Sequence, residues 1–121
     1  MPKRVTIAVI TNASGDGTGY SEVVSGEIAT VRYVKTDYAN GSTMTITLEA
    51  TGETILGELG INASATRAPR QATHSTAGAA ALYAAAGTAV NDRVVAAKDR
   101  IKVVVAGGGD TKAGTFHVTL K

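Results

Sequence analysis

Cysteine is absent from this sequence, and aromatic residues are scarce. The lack of thiols excludes disulfides, thiolate nucleophiles and thiolate metal ligands. Aromatics make up 4% of the chain, with no Trp and one Phe, so most of the large apolar volume must come from Val, Ile and Leu. Burial contributes roughly 25 cal/mol per Å² of apolar surface, so a chain rich in Ala and Gly gains little from its own core. We expect such a chain to bury further surface between subunits, as a homo-oligomer.

Strong net charge and long apolar runs are missing as well. Twelve basic residues against ten acidic ones give a formal net charge of +2, which is too balanced to indicate nucleic acid as a partner. The Ala-rich stretch 77–90 is short and interrupted by glycine, so no membrane span is predicted. The apolar run 5–10 after the basic start is better explained as a first strand than as a signal peptide. We expect one soluble domain over residues 1–121, made in the cytoplasm.

Alternating apolar residues predict β-strands along most of the chain. Residues 43–50 show the cleanest alternation. The side chains predicted to face inward there are Met44, Ile46, Leu48 and Ala50. The segment 27–35 instead has apolar residues at both parities, which predicts a strand inside a sandwich or against a neighbouring subunit. Turns that contain glycine separate the strands, at residues 12–19, at Ser25-Gly26 and at Asn40-Gly41.

The end of the chain predicts an antiparallel hairpin. Residues 101–105 and 115–120 have strand-like composition, and the glycine-rich connection 107–114 favours a turn. One face of the last strand is predicted to carry Phe116, Val118 and Leu120, and the other face Thr115, His117 and Thr119. The whole chain is expected to form about seven or eight short strands, which is typical of an antiparallel sandwich or barrel. The predicted fold class is therefore all-β.

Residues 60–78 depart from this pattern and are predicted to form an extended arm. The segment has no periodicity, and Pro69 at its middle favours extended backbone. It contains no acidic residue, and guanidinium groups on either side of the proline could fork onto carboxylates of another chain. The candidate interaction residues are therefore Arg67, Pro69, Arg70 and His74. An exposed loop that its arginines keep soluble is the alternative, and nucleic acid is a weaker one because no aromatic residues accompany the arginines.

The Ala-rich residues 77–86 are the one place where a helix competes with a strand. Alanine is the best helix former, but Gly78 and Gly87 bracket the stretch, and Leu82 and Tyr83 are its only large residues. Both alternatives therefore stay open for this segment.

No pattern in the sequence indicates catalysis or a cofactor. The two histidines, His74 and His117, have no carboxylate or nucleophile at a spacing typical of a catalytic triad or a metal site. Carboxylates paired for glycoside hydrolysis would have to meet in space, whereas the glutamates fall at strand and turn positions that suit a solubilising charge. These glutamates are Glu22, Glu27, Glu49 and Glu53. We therefore predict a protein that is not an enzyme and that binds no metal and no cofactor.

Several runs of the sequence resemble small structural proteins of tailed bacteriophages. The runs are VRYVKTDYANG (31–41), TITLEATGET (45–54), APRQATH (68–74), IKVVVAGGG (101–109) and KAGTFHV (112–118). The resemblance covers most of the chain from about Gly26 onward and implies a head decoration or minor capsid protein. Such a protein would bind the outside of a capsid, at the virion surface, as a homotrimer or homodimer that contacts the major capsid protein. The arm would then reach over an adjacent capsid subunit.

Two other functions remain open at this point. A phage tail or head–tail joining protein would form rings or stacks of like subunits. A host-surface or carbohydrate-binding β-module would need aromatic platforms, and the tyrosines available for one are Tyr20, Tyr33, Tyr38 and Tyr83.

Overall fold

The chain folds into antiparallel β-strands in a computed structural model that describes residues 3–82, 87, 88 and 90–121. The described residues contain nine strands: β1 (Lys3–Ile10), β2 (Gly17–Lys35), β3 (Ser42–Leu48), β4 (Thr54–Ile61), β5 (Ala65–Arg67), β6 (Arg70–Ala72), β7 (Asn91–Arg93), β8 (Val95–Ala106) and β9 (Ala113–Leu120). The predicted all-β class is confirmed, with one or two more strands than expected because three-residue strands occur in and after the predicted arm. No helix of the described residues is long and apolar enough to cross a membrane.

The long strand β2 divides the main sheet into two layers. Its second half pairs with β9 and with β5, and β9 pairs in turn with β1. Its first half pairs with β8, which continues to β3 and β4. We call the layer of β1, β9, β5 and the second half of β2 layer A, and the layer of β8, β3, β4 and the first half of β2 layer B. Strands β6 and β7 form a separate two-stranded sheet.

Irregularities in β2 let one strand serve both layers. Its ladder with β8 and β9 shifts register three times, and between Ile28 and Thr30 one extra residue is inserted opposite β9. An inserted residue reverses which parity faces inward, so Ile28 and Val31 are both fully buried. This bulge explains the apolar residues at both parities, and Val34 lies outward and half-buried on the same strand. The predicted break at Ser25-Gly26 is therefore wrong, since the strand bends there and continues.

The glycines before this bend belong to β2 and not to the predicted loop. A Cβ at Gly17 would lie 2.8 Å from the carbonyl oxygen of Ile10, and one at Gly19 would lie 2.8 Å from Cγ2 of Val9. Real side chains do not tolerate such distances, so only glycine lets β2 cross so close to β1. The loop prediction for residues 12–19 holds up to Asp16, after which the strand begins.

The terminal hairpin prediction is wrong, because β8 and β9 lie in different layers. Their glycine-rich connection crosses from one layer to the other instead of folding back in one sheet. The turn at Asn40-Gly41 likewise joins β2 to β3, which do not pair with each other. The faces of β9 are as predicted, with alternating buried and half-buried residues along the strand.

The inward side of β3 is confirmed for three of its four predicted residues. Met44, Ile46 and Leu48 are buried, whereas Ala50 lies exposed in the turn that follows the strand. Among the described residues, Val, Ile and Leu supply most of the core, together with Met44, Phe116, Ala96, Tyr33 and Tyr38.

One of these tyrosines, Tyr38, closes the end of the sandwich where three interlayer loops meet. Its hydroxyl donates a 2.6 Å hydrogen bond to the carbonyl oxygen of Val9. The side chain is 5% exposed, and burial, followed by the charge of Asp37, raises the pKa of Tyr38 to about 12. Gly108 and Gly114 pack against the ring, where a Cβ would have no room.

Candidate interaction surface

The predicted interaction residue Arg67 bridges the two layers. It lies on β5 opposite the buried Val31, and its guanidinium donates a 2.7 Å hydrogen bond to Glu58 on β4. Tyr33 completes the group, since its hydroxyl lies 3.3 Å from Glu58 and its ring 5.9 Å from the guanidinium carbon. We call these residues the Tyr33–Glu58–Arg67 cluster. The hydrogen bond to Glu58 raises the pKa of Arg67, and burial, followed by the charge of Glu58, raises the pKa of Tyr33.

Pro69 and Arg70 continue from β5 along the edge of layer A. Pro69 is buried, so this residue packs onto the body and does not project from it. The Arg70 guanidinium donates a 3.2 Å hydrogen bond to the carbonyl oxygen of Ala29 and a 2.8 Å bond to that of Pro69. Of the four predicted interaction residues, these two and Arg67 therefore lie at the edge of the sandwich.

His74 lies farther out, on a two-stranded projection that starts at β6. We call β6, β7 and the described residues between them the ribbon. Thr73 donates its backbone N–H to the Val90 carbonyl, and His74 forms an antiparallel bridge with Ala80. The described residues of the ribbon are mostly exposed, His74 among them. The arm predicted at residues 60–78 thus consists of short strands, and the ribbon extends beyond it.

The segment 77–86 falls only partly within the described residues. Residues 83–86 lie outside them. Residues 77–82 form a turn and bridge positions and contain no helix, in keeping with the strand alternative for that part.

His117 lies on the outer side of layer A, as its predicted face requires. Its Nδ1 is 3.1 Å from the hydroxyl oxygen of Thr6 on β1. On its other side it is paired with Arg32 of β2, whose guanidinium donates a 3.1 Å hydrogen bond to Thr66 of β5. The residues Thr6, His117, Arg32 and Thr66 thus form one row across four strands.

Arg4 and Arg32 both lie on this outer side and are not among the interaction residues predicted from the sequence. Arg4 is paired with Thr119, and Thr119 with Thr30 of β2. Alternation along β1 and β9 indicates the outward positions there. The bulge shifts the alternation along β2, so the sequence pattern does not show that Arg32 faces outward.

The outer side of layer B carries an exposed aromatic residue. Tyr20 is 44% exposed, and the guanidinium carbon of Arg100 lies 4.4 Å from its ring centroid. Arg100 also pairs with Glu49, and this hydrogen bond raises the pKa of the arginine and lowers that of the glutamate. One face of the tyrosine ring is thus already covered by a side chain of the protein.

The described residues contain neither a detectable pocket nor a group of three or more His, Asp or Glu side chains placed to hold a metal ion. The potential contact surfaces within the described ranges are therefore the outer sides of the layers and the ribbon.

Comparison with solved structures supports the fold. The chain is similar to the C-terminal CBM6 carbohydrate-binding module of LamC, a marine laminarinase from Zobellia galactanivorans, with a TM-score of 0.52 and 14% identity over 100% of both chains. A pilus protein of Bacillus endospore appendages gives a TM-score of 0.43 at 18% identity, over 98% of this chain and 83% of that chain. The virus-like particle of the Macrobrachium rosenbergii extra small virus gives 0.41 at 10% identity, over 98% and 76%.

The first of these similarities defines the chain as a β-sandwich domain. At 14% identity it shows the fold alone, and the other two scores are too low to support an argument. No protein-family model and no curated protein matches the sequence.

Proposed function

We propose that this chain is a virion structural protein that binds the outside of a phage capsid, where it contacts the major capsid protein. The phage assignment is supported by the resemblance of the sequence runs described above. The sandwich fold is compatible with it, since a compact body of this kind suits a protein that acts by docking. In this proposal the protein is a homotrimer or homodimer without catalytic activity.

The observation that carries the proposal is the ribbon. A two-stranded ribbon is marginally stable by itself in water, and most described residues of this one are exposed. Leu82, a large apolar residue, is 40% exposed within it. Packing against another subunit would bury such a surface and stabilise the ribbon, which is what a clamp between capsid subunits requires.

The four interaction residues take different parts in this proposal. Arg70 and His74 are the ones available to a partner, because their side chains are exposed. Arg67 and Pro69 act by holding the start of the ribbon to the body, since one is bound to Glu58 and the other is buried.

Cosedimentation with emptied phage heads tests the proposal. We expect the double variant His74→Glu, Leu82→Glu to bind heads at least tenfold more weakly, because two carboxylates would be desolvated in the contact. The matched control is Thr45→Glu, Thr47→Glu on the outer side of layer B, which adds the same charge to a surface far along the sheet from the ribbon. Equal head binding by wild type and the ribbon variant would contradict the proposed contact.

The same experiment separates the alternatives. Rings or stacks of the purified protein in negative-stain images, without head binding, would favour a tail or head–tail joining protein. Binding on a glycan array without head binding would favour a host-surface module.

A further inference from the structure

The arginines of the chain fall into three groups. Arg70 donates hydrogen bonds to the backbone carbonyls of Ala29 and Pro69. Arg67, Arg93 and Arg100 each pair with a glutamate. Arg4 and Arg32 form no ion pair with any described residue, although both lie on β-strands whose positions are fixed by pairing on the sheet. An arginine without a carboxylate partner on a rigid strand is available to a carboxylate from another molecule.

Both of these arginines lie on the outer side of layer A, which carries no acidic residue in its three central rows. The rows are Arg4–Thr119–Thr30, Thr6–His117–Arg32–Thr66, and Ala8–Thr115–Val34. Threonine hydroxyls and the His117 imidazole surround the two guanidinium groups and can add hydrogen bonds to an anion. The surface is therefore cationic and rich in hydrogen-bond donors.

The sheet geometry sets the spacing of the arginines. Neighbouring strands are about 4.8 Å apart, and successive outward residues along a strand are about 7 Å apart. Arg4 and Arg32 are two strands and one row apart, which corresponds to about 12 Å between Cα atoms. Two long side chains at this distance can reach carboxylates about 7 Å apart, the spacing of alternate residues in an extended peptide.

We propose that the outer side of layer A binds a carboxylate-rich segment of a protein partner, and that the guanidinium groups of Arg4 and Arg32 each bind one of its carboxylates. A nucleic acid fits less well, because tight duplex binding needs many phosphate contacts and the three rows offer no Phe, Tyr or Trp side chain on which a base could stack. The surface is separate from the ribbon tip, and the inference does not require that the partner be a capsid protein.

Binding of fluorescein-labelled poly-L-glutamate tests the proposal. It is measured by fluorescence anisotropy at about 0.1 M salt, where exposed charges more than about 10 Å apart are largely screened. The double variant Arg4→Gln, Arg32→Gln should raise the dissociation constant about tenfold, since each exposed ion pair contributes a few-fold. The matched control is Lys98→Gln, Lys102→Gln on β8, which removes the same charge from layer B and should change the constant at most about twofold. Equal losses in the two variants, or no binding by the wild type, would overturn the proposal.

A second variant keeps the test valid if the arginine variant folds poorly. Thr119→Glu places a carboxylate directly opposite Arg4, where a cross-strand ion pair is favourable. We expect it to weaken poly-L-glutamate binding about as much, with no fall in melting temperature. Retained binding by Thr119→Glu would count against the surface.

Two further measurements identify the partner class and separate this inference from the proposed function. Tighter binding of duplex DNA than of poly-L-glutamate, with the same arginine dependence, would refute a carboxylate partner. The ribbon variant His74→Glu, Leu82→Glu should bind poly-L-glutamate nearly as well as the wild type does, since it leaves Arg4 and Arg32 intact. A tenfold loss in that variant would place the anion site on the ribbon and overturn the assignment to layer A.

Discussion

Substitution of Gly114 by alanine should strongly destabilise this protein, although the residue lies on a regular strand. A Cβ at this position would lie 2.3 Å from Cε2 of Tyr38, 2.7 Å from Cζ and 3.0 Å from the hydroxyl oxygen. Carbon atoms in ordinary contact are about 3.5 Å or more apart. The ring would therefore have to move by roughly 1 Å, in a part of the molecule where Tyr38 is nearly inaccessible to solvent.

The magnitude follows from what that movement disrupts. Overpacking of a filled core costs about 1–3 kcal/mol. Displacement of the ring would also weaken the hydrogen bond from Tyr38 to the Val9 carbonyl, which contributes about 1 kcal/mol. We expect Gly114→Ala to lower the free energy of unfolding by about 2–4 kcal/mol, and the melting temperature by roughly 4 °C for each kcal/mol lost.

Gly57 provides the matched control. It also lies within a strand, β4, but nothing lies within 4 Å of its Cβ position. Gly57→Ala should therefore be neutral or stabilise the protein by a few tenths of a kcal/mol, through the lower entropy of the unfolded chain. Urea unfolding followed by far-ultraviolet circular dichroism measures both variants, and this probe suits a chain that has no tryptophan.

A double-mutant cycle assigns the loss to the tyrosine ring. In a Tyr38→Ala background the space beside Gly114 is empty, so Gly114→Ala should then cost almost nothing, and the coupling energy should equal the loss in the wild type, about 2–4 kcal/mol. If Gly114→Ala destabilised both backgrounds equally, or stayed within 0.5 kcal/mol of the wild type, as is usual for harmless surface changes, the steric argument would be refuted.

Three further predictions concern groups fixed between the strands. The raised pKa of Tyr38, about 12 against 10 for a free tyrosine, means that stability is complete below pH 10 and falls by at most about 2.7 kcal/mol towards pH 12; Tyr38→Phe should remove this loss in pH-dependent urea titrations. The buried Ser21 hydroxyl accepts a 2.9 Å hydrogen bond from the Ile101 N–H, so Ser21→Ala should cost about 1–3 kcal/mol, and an unchanged urea midpoint would contradict this role. Arg67→Ala should lower the melting temperature because it leaves Glu58 with the Tyr33 hydroxyl but without its cationic partner, whereas Arg67→Lys should restore part of the loss; melting curves unchanged by either substitution would mean that the ion pair does not hold the layers together.

The inward faces of the strands were predictable from the sequence, whereas the order of the strands in the sheet was not. Alternation placed Phe116, Val118 and Leu120 correctly on one face of the strand, which the structure buries, because side-chain direction depends only on local backbone geometry. Which strand lies beside β9 depends on where the connection leads. A glycine-rich loop of this length can fold back into a hairpin or cross to the other layer, and composition does not distinguish the two.

Bulges limited the prediction in another way. Between Ile28 and Val31 the parity of buried residues changes, and a one-residue insertion cannot be recognised from the pattern of a single strand. The same pattern predicted a strand inside a sandwich or against a neighbouring subunit. The structure explains it within one chain, so this strand no longer supports oligomerisation.

The candidate interaction residues show why a surface is harder to predict than a segment. Arg67, Pro69 and Arg70 stood out because they are close together in sequence and lack acidic neighbours there. Folding brings Glu58 to Arg67 from the opposite layer, so an arginine that is isolated along the chain is paired in space. Arg4 and Arg32 behave in the opposite way, since they are far apart in the chain and come together on one outer surface through their shared neighbour β9. A charge can therefore be judged available to a partner only after the strand order is known, and the carboxylate-binding surface that we propose on layer A could not be predicted from the sequence for this reason.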